Sequence, residues 1–429
     1  MLTDFKSHFG LFHIFTSSMI VSHLIHFSIR ILPCYNESGG YMKKYRFPIY
    51  VLAALLLGFI TSPLFHNGYI SELFSSLFKL PFYFQILIFL LSFFLSVFLH
   101  ELTHLIAFVM NGMKIKALLV LFFVLSKNEG KWHFKLNFKL LKLGGGMVMP
   151  EIDSIKEELS YYRYAKAISK SLIAAPLFTI IYTALIVIMN LVFFHTSSFF
   201  TPFSLYTLLF GVLFTLTSNI STDEIYGDFK AYKKFNEDPL FKASIITQYT
   251  NNLSSYHLKM LETQIEKYPV SDFPNEILPI LSTLYDYYVF QEDEWVVPLI
   301  TRASYIHTHA FLIKRFVRKE SYIPLAQYIL YFLVRYGMKD KADTLFVHFK
   351  TQLEALKLPV ITKTYIMKQT EHVLGYADHS AYLKETKHIS PSRFSFVFEG
   401  IPDFFKSEES HNQGFSLSNK IPAIPLENA

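Results

Sequence analysis

Residues 100–104 read His-Glu-Leu-Thr-His. Two histidines four positions apart share one face of a helix, where both imidazoles can hold a single zinc ion. Glu101 then stands beside the metal, where hydrolysis needs a base to take the proton of an attacking water. The surrounding run Leu80–Met110 is almost wholly apolar apart from Gln85, Ser92, Ser96 and these residues. Ionisable groups in such a segment are costly unless they are used, so the pattern points to metal-assisted hydrolysis.

A catalytic zinc site needs a third protein ligand and an open position. The segment Asn219–Lys230 offers three carboxylates, Asp223, Glu224 and Asp228. Acidic groups of this kind also occur as a solvated helix-cap cluster, so spacing alone does not choose among them.

The elements that must position these residues are membrane helices. The chain has 429 residues, 52% of them hydrophobic and 17% aromatic, with a mean hydropathy of +0.30. That is too apolar for an ordinary soluble protein. Cys34, the only cysteine, excludes a disulfide framework and a cysteine-built zinc site. The net charge of +6 is modest, and its basic residues flank apolar segments, which sets topology and argues against a nucleic-acid partner.

Four spans are expected: about Pro48–Leu64, Pro81–Met110, Ile168–Phe194 and Phe203–Ile220. Lys43, Lys44 and Arg46 precede the first span, and eleven Lys and Arg residues lie between 114 and 170. Lys230, Lys233 and Lys234 follow the fourth span, while Phe65–Ser76 and His195–Thr201 carry no Lys or Arg. The positive-inside rule then places the zinc motif toward the cytoplasmic end of its helix and the C-terminal part in the cytosol. A multi-pass protein of a bacterial cytoplasmic membrane is expected. Residues 1–41 stand apart. Met42-Lys43-Lys44 before an apolar run looks like a natural bacterial start, so 1–41 reads as an extension that is not natively translated.

After the motif helix, Ile115–Val124 and Trp132–Leu143 flank a polar Asn128-Glu129-Gly130 turn, and residues 132–140 alternate with period two. These features predict a β-hairpin at the membrane. Gly144-Gly145-Gly146 follows, either as a connector or as a place where backbone, including a substrate strand, comes close.

Together these motifs resemble the site-2 protease family of intramembrane zinc proteases, over about Phe82–Phe235. The likeness comprises the zinc motif inside an apolar helix, the hairpin with its glycines, a span bearing Ala174-Ala175-Pro176, and a last span ending in an Asn…Asp element. Usual members carry Asn-x-x-Pro followed by Asp-Gly. Here Asn219 leads to Gly227-Asp228 with no proline between and the order reversed, which is similar to a bacterial zincin-like branch. The resemblance implies a site of His100, His104 and Asp228 on Zn2+, with Glu101 as the base and Asn219 orienting substrate or the oxyanion. Glu224-x-x-Gly-Asp228-x-x-Ala231 also resembles the element of membrane gluzincins such as the CAAX prenyl protease class, in which Glu224 would be the ligand.

Residues 236–395 are expected to form a cytosolic all-α domain. Amphipathic periodicity covers Tyr256–Tyr268, Glu276–Phe290, Tyr322–Tyr336 and Lys341–Leu356, with Gly337 as a stop and Ala326 and Ala342 at close-packing positions. The pairing faintly resembles a tetratricopeptide-like array, which would dock a protein partner; a plain helical bundle fits equally. Residues 396–429, and Ser407–Ala429 above all, read as a disordered tail. The expected architecture is therefore mainly α. It combines a polytopic membrane helical bundle (42–235) with a small membrane-associated β-hairpin and a cytosolic helical domain. Its expected activity is endoproteolysis in or beside membrane segments of a membrane-anchored protein or peptide. The rival is an inactive receptor or chaperone working through the helical domain.

Overall fold

The computed structural model describes residues 68–128, 130–222, 226–290, 297–385, 388, 395–398, 401 and 404–417. The expected span Pro48–Leu64 and the extension 1–41 lie outside the described residues. The chain divides into two compact units, Met1–Ser75 and Ser76–Ala429. Helix α1 is Tyr69–Leu77.

Among the described residues, three helices are long and apolar enough to cross a membrane: α2 (Phe82–Met110), α3 (Glu158–Met189, continued by a π turn to Phe194) and α4 (Phe200–Thr217). Helix α2 starts directly after Pro81 and stops at Asn111-Gly112. Gly112, at φ +75°, lets its N–H reach Val109 O and the Met113 N–H reach Phe108 O, which satisfies the last carbonyls. Helix α3 opens with a capping box between Glu157 and Ser160, and it carries Pro176 inside. The three helices pack on one another. Gly211 of α4 lies so close to Thr183 of α3 that a Cβ would come within 2.9 Å of the threonine Cβ. Their outer faces keep large apolar side chains exposed, among them Leu90, Leu185 and Leu209.

Between α2 and α3 the chain builds a sheet rather than a lone hairpin. Strands β1 (Lys114–Val120), β2 (Phe123–Asn128), β3 (Lys131–Leu136) and β4 (Gly146–Ser154) join β5 (Thr250–Asn252) in the order β3-β2-β1-β4-β5. The β2–β3 pairing, with Asn128 opposite Lys131, is the hairpin expected at the polar turn. The run Ile115–Val124, read as one strand, instead folds back at Leu121-Phe122 and pairs with itself as β1 and β2. Leu121 is buried there, 5% exposed, and Phe122 half-buried, so the turn is made of apolar residues and lacks the Gly, Asn or Asp that marks a solvated turn. The third glycine of Gly144-Gly145-Gly146 begins β4, opposite Val120 of β1.

Strand β5 runs parallel to β4 and ties the C-terminal helices to this sheet. Helices α5 (Asp228–Glu237) and α6 (Pro239–Gln248) precede it; Asp238 caps α6 through the Leu240 and Phe241 N–H groups. Phe235, Phe241 and Ile246 share one apolar cluster with Val97, Phe108 and Ile168. Then follow α7 (Ser255–Glu266), α8 (Ile277–Phe290), α9 (Val297–Thr308), α10 (Phe311–Val317), α11 (Ile323–Arg335), α12 (Lys339–Ala355), α13 (Val360–Leu374) and the short α14 (Ser380–Leu383), α15 (Ser395–Phe398) and α16 (Lys406–Asn412). Helix α11 is buried almost all round and forms the centre of the helical core. Gly337, at φ +74°, separates α11 from α12, and Ala326 and Ala342 are fully buried. Buried Arg302 donates to the carbonyls of Ile265 and Tyr268 at 2.7 Å and of Pro269 at 3.2 Å, meeting the negative end of α7.

Residues 404–417 depart from the expected disordered tail. Ser407 Oγ donates to the Asp286 carboxylate at 2.9 Å, and Asn412 bonds Tyr365 and Gln369 at 3.0 Å. Leu417 is fully buried. Leu417 joins the helical core and Phe415 packs against it, but these two apolar residues stand in a polar stretch whose pattern does not distinguish docking from solvation.

Candidate metal centre

One helical turn places the imidazoles of His100 and His104 side by side on α2, with ring centroids 5.0 Å apart. Both turn their Nε2 atoms toward the same oxygen, Asp228 Oδ2, at 3.0 Å from His100 and 3.6 Å from His104. One potential ligand atom from each of the three residues falls within 4.8 Å of the other two. No other such group occurs among the described residues.

Asp228 is 124 residues from His104, and its position is set by how the chain returns after α4. Ser218 O accepts the N–H groups of Phe229 and Lys230 at 3.0 and 3.3 Å, and Gly227 N–H bonds Ile220 O at 2.9 Å. Ser221 and Tyr226 bridge within the excursion. Gly227 is pressed against the end of α4, where a Cβ would lie 2.7 Å from Ser218 Cα. Only glycine fits that crossing, and the next residue, the first of α5, delivers its carboxylate to the histidines.

Glu101 is buried, 7% exposed, on the neighbouring stripe of α2. Gly146, at the start of β4, packs directly on its side chain. The close backbone approach allowed by the glycine-rich stretch is thus made against Glu101. Asn219 is exposed just past the end of α4, and its Nδ2 donates to Thr215 O at 3.0 Å in the last turn of that helix. Its recorded contacts do not join it to the His100–His104–Asp228 group. Asp223 and Glu224, the other candidate carboxylates, lie outside the described residues.

Two residues that the sequence reading passed over touch the site. Thr179 Oγ1 lies 2.9 Å from His100 Nδ1, and Ser171 Oγ lies 3.0 Å from His104 Nδ1. Both sit on α3 and flank Ala174-Ala175-Pro176, where fully buried Ala175 lets the helices approach. The available signal was small hydroxyl residues placed inside an apolar run on either side of that element.

The donor set fits a zinc ion. Two imidazole nitrogens and a carboxylate oxygen are its usual ligands, and three of them leave a position for water. The neighbouring glutamate supplies the base that hydrolysis requires. A family model described as Peptidase family M50 matches residues 88–398. No curated protein and no solved structure matches the chain significantly.

Proposed function

The chain belongs to peptidase family M50, the site-2 protease family, and from that premise we propose a membrane-embedded zinc endopeptidase that cuts in or beside membrane segments. The observation carrying this reading is the convergence of His100 Nε2, His104 Nε2 and Asp228 Oδ2 next to buried Glu101. His100, His104 and Asp228 hold the metal. Zn2+, when bound, supplies a Lewis acid for the scissile carbonyl and lowers the pKa of water.

Glu101 takes a proton from the attacking water and returns it to the leaving amine. Its burial removes competing solvent, and Gly146 leaves its carboxylate room by carrying no side chain. Asn219, whose amide is engaged by Thr215 O, is assigned no step. Peptide backbone in lipid is helical and internally hydrogen-bonded, so a substrate segment must unwind locally at the site before it is cut. The flanking charges favour a cytosolic position for the helices after α4, where they offer a surface to a substrate tail or a protein partner.

The test compares membrane proteomes of cells expressing the wild-type chain or Glu101→Gln at equal levels. Fragments ending within membrane-anchored segments should appear with the wild type and vanish with the variant. Identical peptide profiles in the two would refute the proteolytic reading.

A further inference from the structure

Each hydroxyl beside the imidazoles also faces a backbone carbonyl. Thr179 Oγ1 donates to Ala175 O at 3.0 Å, and Ser171 Oγ donates to His104 O at 3.4 Å. A hydroxyl has one proton and two lone pairs. With its proton on the carbonyl, the oxygen presents a lone pair to the ring, so the ring nitrogen facing it must carry the hydrogen. We infer that Ser171 and Thr179 are positioning residues that fix His104 and His100 in the Nδ1–H tautomer.

The consequence appears at the opposite edge of each ring. In that tautomer Nε2 carries only a lone pair, and both Nε2 atoms face Asp228 Oδ2. His100 Nε2 and Asp228 Oδ2 are 3.0 Å apart, close enough for one cation to lie against both. The hydroxyls thus pre-arrange three acceptors for a cation. Both are shielded from competing water, with Ser171 fully buried and Thr179 3% exposed.

A carboxylate behind a ligating histidine is a frequent way to fix the ring. Here it would add a further buried charge to an apolar helix pair, which is costly. Ser171 and Thr179 achieve the same orientation without charge by using carbonyls that the helices already carry. The arrangement also explains why hydroxyl residues interrupt the apolar run of α3 at the level of the histidines.

This inference rests on the zinc reading, and the experiment separates the two. Full-length protein in detergent is stripped of metal and titrated with Zn2+ and with Co2+. It is compared with Ser171→Ala, Thr179→Val, the double variant and the conservative exchange Thr179→Ser. Affinity by chelator competition should fall about 10- to 100-fold in Thr179→Val and in Ser171→Ala. The visible Co2+ spectrum should change with it, and Thr179→Ser should restore both. Unchanged affinity and Co2+ spectrum in the double variant, even with a lowered melting temperature, would overturn the inference and leave the zinc reading intact. A wild-type chain that binds neither metal would overturn both.

Discussion

Gly146 lies directly against Glu101: a Cβ at residue 146 would overlap Glu101 Cγ and come within 2.9 Å of its Cδ, with Leu119 O only 2.6 Å away on the other side. The first residue of β4 therefore sits between β1 and the buried glutamate. Its backbone φ is not in the left-handed region, so the need for glycine here is one of space. Gly146→Ala must move either the strand or the carboxylate, an overpacking worth about 1–3 kcal/mol. Where that cost falls on the placement of Glu101, peptide cleavage should drop about 5- to 150-fold while metal content stays at the wild-type level, since about 1.4 kcal/mol is a factor of ten. Cleavage assays paired with metal analysis check this, and full activity in Gly146→Ala would show that Glu101 tolerates displacement.

Glu101→Gln keeps the size of the side chain and removes its basicity. Loss of a general acid–base group costs about 10²–10⁴-fold, so turnover should fall by that factor. Metal should be retained, because the proposed ligand atoms belong to His100, His104 and Asp228. Turnover in detergent and metal stoichiometry on the same preparation measure both. Loss of the metal would instead give Glu101 a ligand role.

His257, fully buried in α7 with Nε2 3.1 Å from Thr247 Oγ1, has its pKa pushed down to about 4 by burial. In the unfolded chain it titrates near 6.5. Between these values the unfolded state binds a proton that the folded state refuses, so stability rises with pH across the window. It is lost as pH falls from about 6.5 toward 4. Between pH 7 and 5 the loss is about 2 kcal/mol at most. Melting temperatures at both pH values should show a smaller acid-induced drop in His257→Gln than in the wild type. An equal drop would place the acid sensitivity elsewhere.

The parts of the molecule legible in sequence are those whose signal is local. His100, Glu101 and His104 lie within five residues, and α2 follows from one apolar run closed at Asn111-Gly112. The cores of α7, α8, α11 and α12 follow from periodicity, with Gly337 marking a real stop. Asp228 was singled out only by family likeness, because its approach to the histidines depends on the tight Gly227 crossing at the end of α4. The extent of the sheet was hidden for two reasons. The Leu121-Phe122 turn packs apolar residues and so carries no turn residues, and the three-residue β5 finds its partner about a hundred positions upstream. Ser171 and Thr179 escaped notice because one hydroxyl in an apolar helix looks like any other until the opposing helix is placed.

Metal content bears most directly on the account, measured on the detergent-purified chain and its His100→Ala, Asp228→Ala and Glu224→Ala variants. About one zinc per wild-type chain is expected, lost in His100→Ala and Asp228→Ala and kept in Glu224→Ala. A wild-type chain that stays without zinc after reconstitution, or a site that survives Asp228→Ala and fails with Glu224→Ala, would contradict it.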